Sequence, residues 1–373
     1  MHTIFWTLTS VIHMGIYILN VIFPFIILVV GSLLGLRKKK LFSFLLSSVS
    51  IYIFVFLAFF NYQTFPDIDT YNEYYTYLSQ NSIGDLYYSK GTLMEFGYLL
   101  FNKVLTFISP DPRTLYIARS IIVSVCITTV IRKHSCNYFV SVIFFFLLFG
   151  LNQSIFVVRQ YLAIAIYLLS ISYILDKNLR RYLFIWFIAF SIHKSLIVCL
   201  PLYWLYNYFK LKKENVVLVS CIFILGSYFI KSFVLIIAER FGIYGDYLLN
   251  IGDDGNSTGL LIRSLCIFLP YIIFCSSNYS KDSYSSLFFW TSLLNVVMSI
   301  VLIGVPAGSR LYPCYNCFSM LVIPYIASCI HLKGQRNALM ALLFVIFTYL
   351  YFLRISDYNY FFMWQECNEY YIY

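Results

Sequence analysis

Long apolar runs, separated by short polar or basic stretches, recur along the chain from Gly15 to Leu353. A helical crossing of a bilayer takes about 20 mostly apolar residues, so each run predicts one membrane-spanning helix. They fall at 15–36, 41–61, 114–131, 138–151, 160–175, 182–192, 195–209, 215–238, 259–275, 285–303, 312–330 and 337–353, which makes about twelve crossings. Barrel strands would be runs of about 10 residues with alternating polarity, a pattern this chain lacks. The hairpin over 182–209 is short: two helices of about 14 residues each would rise about 21 Å. Either basic side chains snorkel at its ends, or two half-helices meet in a recess around His193.

Composition supports the same class. The chain of 373 residues is 61% hydrophobic and 11% charged, whereas a soluble domain carries about 25% charged residues. The predicted fold is an all-α polytopic integral membrane protein, a single transmembrane domain over residues 1–373. Met1 to Phe5 carries no Lys or Arg, so the first segment reads as retained and not as a cleaved signal. The ten cysteines are scattered, most of them within apolar runs, where Cys behaves as a small hydrophobe. Cys314-Tyr315-Asn316-Cys317 has redox spacing without a thioredoxin-like context.

Charge sets the expected orientation. Basic clusters stand at 37–40, 132–133, 177–181, 210–213, 281 and 333–336, and positive loops stay on the cytoplasmic side. The inner loops then carry 15 Lys and Arg against three acids (Asp176, Glu214, Asp282). The net charge of +10 thus reflects membrane orientation, and nucleic-acid binding is unnecessary to explain it. Both termini are expected outside, together with a large outer loop at 62–113, a second at 239–258 and a tail at 354–373. Within the first loop, 93–108 reads as an interfacial or re-entrant helix. Most of the 35 tyrosines read as an aromatic belt at the interfaces; those in 71–77 and near Tyr87 are candidates for stacking on sugar rings.

The remaining basic residues are mostly isolated at outer helix ends: Arg113, Arg119, Arg159, Lys194, Arg240, Arg263 and Arg310. An ionisable residue near hydrocarbon is costly and marks a functional site by default, and arginine's fork of donors suits phosphate oxygens. Several on one side suggest an anionic, phosphate-bearing ligand; the alternative is that each anchors a helix or pairs with an outer acid.

Five short elements, in order, resemble the bacterial O-antigen polymerases of the Wzy and EpsG type. They are Asp67 followed by Tyr71, Glu95-Phe96-Gly97-Tyr98 with Phe96 replacing a proline, Arg159-Gln160-Tyr161-Leu162-Ala163, Ile192-His193-Lys194-Ser195, and Arg310 ahead of an apolar span. Family members often carry an Arg and a Gly ahead of the Asp, where this chain has Asn61, Gln63 and Pro66.

The resemblance implies transfer of a growing glycan from undecaprenyl diphosphate to the non-reducing end of a lipid-linked repeat unit. The reaction would run on the periplasmic face of a bacterial inner membrane, with a separate co-polymerase governing chain length. Such a reaction must stabilise a departing diphosphate, for which Arg159 and Arg310, with Arg263, are the candidates. It must also take a proton from the acceptor, for which His193 competes with Asp67 and Asp69. Asp67 and Asp69 have a spacing that also suits a divalent cation, but no cofactor or metal is called for. Tyr71, Glu95 and Gly97 are expected to contact glycan or shape the loop, Gly97 by permitting close backbone approach. The competing functions are a lipid-linked oligosaccharide transporter and a ligase that passes finished glycan to another lipid; the later outer loops are short for a ligase.

Overall fold

The computed structural model describes residues 68–90, 94–148, 150–209, 212–240, 256–276, 282–301, 303 and 311–353, with scattered helical positions between 15 and 55. Asp67, Arg310, most of the 239–258 loop and the 354–373 tail lie outside the described residues. Every regular element among the described residues is helical.

The expected outer loop folds into three helices: α1 Ile68–Gln80, α2 Ile83–Lys90 and α3 Phe96–Thr106. On α1 the buried Ile68, Tyr71, Tyr75 and Leu78 recur at helical spacing, giving one apolar stripe. Ser82 and Asp85 open α2 with a capping box: Asp85 N–H donates to Ser82 Oγ at 3.2 Å while Ser82 N–H donates to Asp85 Oδ2 at 2.9 Å. The Ser82 hydroxyl, which donates to Asp85 Oδ2 at 2.7 Å, and then the Ser82 N–H hold the Asp85 carboxyl below the usual carboxylate pKa. The helix expected at 93–108 is α3, a few residues shorter at each end. Its buried face of Tyr98, Leu99, Asn102 and Leu105 packs on α1 and on later helices.

The bundle follows as α4 Arg113–His134, α5 Tyr138–Leu147, α6 Gly150–Phe156, α7 Val158–Leu168, α8 Ile171–Leu175 and α9 Leu179–Ile192. A 3-10 helix at Lys194–Cys199 leads to α10 Leu202–Tyr208, α11 Asn215–Arg240, α12 Asn256–Cys275, α13 Ser283–Val301, α14 Pro313–Asn316, α15 Ser319–Cys329 and α16 Lys333–Phe352. The centre is α13, on which Leu287, Phe288, Phe289 and Trp290 are all fully buried. A helix apolar all round belongs in the core, and α13 packs on α10, α11, α12, α14 and α15. By contrast, α16 buries only Leu343, Phe347 and Tyr351, and Leu225, Phe229 and Ile230 of α11 are exposed. Such faces suit hydrocarbon as their solvent.

Among the described residues, four helices are long and apolar enough to cross a membrane: Arg113–His134, Val158–Leu175, Ser283–Val301 and Lys333–Phe352. Four shorter apolar helices accompany them. The difference from about twelve expected crossings has several sources: α9 is a single helix of 14 residues, and the apolar stretches of α11 and α12, Asn215–Ile230 and Gly259–Cys275, are shorter than the four spans. The first two runs are mostly outside the described residues. Several others are built from two short helices with a break between them, which an apolar run does not reveal. Between α5 and α6, a Cβ on Gly150 would lie 2.6 Å from the Phe145 ring and 2.7 Å from its carbonyl oxygen, so only glycine permits that tight join.

The 182–209 hairpin shows how a break survives in an apolar bundle. His193 is extended at φ −152°, ψ 116°, and the 3-10 turn after it leaves carbonyl groups without regular helix partners. Aromatic side chains satisfy them. Trp186 Nε1 donates to Leu196 O at 2.9 Å, Tyr315 Oη to Val198 O at 2.6 Å, and Tyr182 Oη to Cys199 O and Leu200 O at 2.9 and 3.1 Å. These tyrosines are buried and serve the backbone, not an interface belt. Tyr75 likewise donates to Ser109 O at 2.8 Å from a fully buried position, so it is closed to sugar stacking. Tyr182→Phe is expected to cost about 1–3 kcal/mol by removing the bond to Leu200 O and leaving Cys199 O only its longer bond from Tyr167 Oη at 3.3 Å, read as a lower thermal midpoint of the purified protein in detergent.

Candidate functional site

Arg159 is the second residue of α7, just past the break at Val157, where φ −116° and ψ 59° interrupt the helix. A cation in the first turn faces the positive end of the helix dipole, so it needs a counter-charge. Glu95 supplies one: Arg159 Nη1 lies 2.7 Å from Glu95 Oε2. Glu95 is the N-cap residue of α3 but makes no side-chain bond to its own helix. Its other oxygen accepts the Lys194 backbone N–H at 3.1 Å. One carboxylate therefore ties together the start of α3, the start of α7 and the start of the 3-10 helix. The side chains are 21% and 12% exposed, which shields the pair without sealing it.

Aromatic rings fix the guanidinium plane. Arg159 Nε donates to Tyr71 Oη at 3.1 Å, and its Cζ stands 5.4 Å from the Tyr71 ring centre and 5.7 Å from that of Tyr98. The two rings meet edge-on with centroids 5.9 Å apart. Cation–π contact adds about 0.5–2 kcal/mol, more as water is excluded. No described residue engages Nη2.

Gly97 governs how close these parts come. A Cβ there would clash with Ser191 Oγ and lie 2.6 Å from the Ser191 carbonyl oxygen, so α3 meets α9 backbone to backbone. That approach brings Glu95 within reach of Lys194, three residues beyond Ser191.

His193 sits beside the cluster with Nδ1 engaged. Nδ1 is 2.7 Å from Ser195 Oγ and accepts the Ser195 backbone N–H at 3.3 Å. An amide N–H only donates, so Nδ1 is the acceptor and neutral His193 carries its proton on Nε2. In this geometry the imidazole is a donor rather than a base. Behind it, Ser195 Oγ lies 3.8 Å from Cys314 Sγ, which takes a bond from Gln160 Nε2 at 3.6 Å. These contacts lock α14 against α7 and the 3-10 helix.

The structure thus gathers Tyr71, Glu95, Gly97, Arg159 and His193, residues spread over more than 120 positions in sequence. It does not bring Arg263 to them. Arg263 is buried on α12 and its Nη2 donates to Leu350 O at 3.0 Å, at the C-terminal end of α16, where a cation suits the helix dipole. Asp69 is exposed in the first turn of α1, a position that also favours an acid for the dipole's sake. No role is read from the sequence for Tyr98, Ser195 or the Lys194 amide, although Tyr98 and Ser195 close the Glu95-Phe96-Gly97-Tyr98 and Ile192-His193-Lys194-Ser195 elements.

A polytopic helical membrane protein with an arginine, a carboxylate and tyrosines clamped at helix ends is the class that this fold and site define. The chain belongs to the EpsG family, whose model matches residues 44–371. Comparison with curated proteins and with solved structures finds no match. The family is one of Wzy-like polymerases and ligases, and membership makes this a membrane protein of polysaccharide polymerase or ligase type, generally glycosyltransferase-like.

Gly97→Ala is expected to push α3 off α9 at a cost of about 1–3 kcal/mol and to loosen the Glu95 contacts. A lowered thermal midpoint checks the first. Faster amide hydrogen exchange at Lys194 checks the second.

Proposed function

We propose that the protein is an O-antigen or related surface-polysaccharide polymerase of a bacterial inner membrane, working on the periplasmic face without a cofactor. It transfers a growing glycan from undecaprenyl diphosphate to a lipid-linked repeat unit. The observation that supports this reading is Arg159, a cation set at the meeting of two helix N-termini with Nη2 unengaged by described residues. Helix N-termini and an arginine fork both favour phosphate oxygens.

In the reaction, an acceptor hydroxyl oxygen bonds to the anomeric carbon while the bond from that carbon to the diphosphate oxygen breaks. The electron pair leaves with undecaprenyl diphosphate, and Arg159 stabilises the charge that develops there. When phosphate takes up Nη1, Glu95 Oε2 loses its partner. Glu95 stays anchored through Oε1 to the Lys194 amide, and it receives the acceptor's proton. His193, with Nε2 bearing hydrogen, donates to a phosphate or sugar oxygen. Asp69, with Asp67 before it, is the alternative base. Arg310 is kept as a further diphosphate ligand on its place in the sequence. A separate co-polymerase sets chain length.

The test is reconstitution of the purified protein in liposomes with synthetic undecaprenyl diphosphate-linked units. A ladder of lengthening glycans with release of undecaprenyl diphosphate supports the polymerase. Transfer of glycan only to an added lipid A core acceptor would instead make it a ligase, and units that merely cross the bilayer would make it a transporter. Arg159→Lys keeps the charge but loses the fork, and is expected to abolish long chains. Glu95→Gln is expected to fold and bind lipid-linked donor while losing about a hundredfold or more in rate, as general bases contribute about 10²–10⁴. Near-normal chain growth in Glu95→Gln would leave Glu95 only a positioning role.

A further inference from the structure

Arg119 is the strongest unexplained group in the structure. It lies on α4 with no exposed surface, and among the described residues none of its three guanidinium nitrogens has a hydrogen-bond partner. Arginine does not shed its proton in proteins, and a buried charge without a partner is strongly destabilising. Two further buried polar groups stand on α3. Asn102 is fully buried, and so is the Tyr98 hydroxyl; the two are close enough to interact with each other, but among the described residues neither has a further hydrogen-bond partner. Tyr98 and Asn102 are four residues apart and share a helix face, and α3 packs on α4. The Tyr98 ring centre is 5.7 Å from Arg159 Cζ, and Tyr116 and Tyr98 both lie within electrostatic reach of Arg119.

Donors dominate this set, comprising a guanidinium, an amide and a hydroxyl. A fixed cation with neutral donors around it, and no carboxylate bonded to it, matches an oxyanion. Arg159 shares its charge with Glu95, so a diphosphate needs more positive charge than Arg159 alone supplies.

We propose that Arg119, Asn102 and Tyr98 form a second phosphate subsite, reached when the Tyr98 ring moves aside, which holds one phosphate of the lipid-linked diphosphate while Arg159 holds the other. This assignment rests on the polymerase reading and adds to it the residues that tell a diphosphate from a monophosphate.

The full-length protein in nanodiscs is titrated with undecaprenyl diphosphate, undecaprenyl monophosphate and free inorganic diphosphate, with Arg119→Gln, Tyr98→Phe and wild type side by side. Wild type is expected to prefer the diphosphate lipid. Arg119→Gln is expected to lose about tenfold or more of that affinity, in line with a charge-assisted hydrogen bond, while monophosphate binding stays put. Tyr98→Phe, which removes one hydroxyl and spares the fold, is expected to lose a few-fold in the same direction. Saturation by inorganic diphosphate at comparable concentration, again lost in Arg119→Gln, would show that the headgroup alone suffices; binding of the lipid only would show that the subsite is entered from the bilayer. Either supports the subsite. Wild-type preference retained in both variants would overturn it, as would an equal loss for both lipids, which marks a packing role. If wild type binds no phosphate-bearing lipid and makes no glycan, the polymerase reading falls and the subsite with it. If it polymerises normally while Arg119→Gln discriminates like wild type, the subsite alone falls.

Discussion

A guanidinium near hydrocarbon is expensive to keep charged, and the arrangement around Arg159 answers that cost from several directions. Glu95 supplies the counter-charge at 2.7 Å, Tyr71 a hydrogen bond, and two aromatic rings a weakly polar bed. These contacts come from α1 and from the start of α3, both far from Arg159 in the chain. The ion pair therefore also fastens the helical segment 68–106 to the bundle, and removing either partner would leave the other stranded in low dielectric.

Breaks in helices make that meeting possible. An uninterrupted helix through residue 157 or residue 193 would bury its own backbone groups and offer nothing at mid-course. The break at Val157 places Arg159 in a first turn, and the break at His193 turns the Lys194 amide toward Glu95. Breaks are tolerable among apolar helices only where the freed carbonyls find donors. Tyr182, Trp186 and Tyr315 provide them, which accounts for part of the unusual tyrosine content.

The arginines illustrate how far position in sequence can be trusted. Arg159, Arg119 and Arg263 look alike on paper, as lone cations near the expected outer ends of apolar runs. In the fold one is ion-paired and half-shielded, one is buried with no partner among the described residues, and one caps a neighbouring helix through Leu350. His193 shows the same limit. Its residue type and its place in the hairpin recess suggest a base, but the Ser195 amide donates to Nδ1, and tautomer is decided by such a contact rather than by residue type.

The apolar runs and the scarcity of charge determined the class by themselves, because burying or solvating long unbroken hydrophobic segments leaves a helical membrane protein as the stable outcome. They also marked Arg159 as a lone cation beside an apolar run, whereas Tyr71, Glu95, Gly97 and His193 stood out through the resemblance of their short motifs to the Wzy and EpsG type. What lay beyond the sequence was which of these meet. Contacts such as Arg159 to Glu95, or Gly97 to Ser191, join residues 64 and 94 positions apart, and depend on helix breaks whose cost is met by distant tyrosines. The buried Arg119, Asn102 and Tyr98 lay further beyond reach, since burial with so few partners is a property of three-dimensional packing and leaves no trace in local pattern.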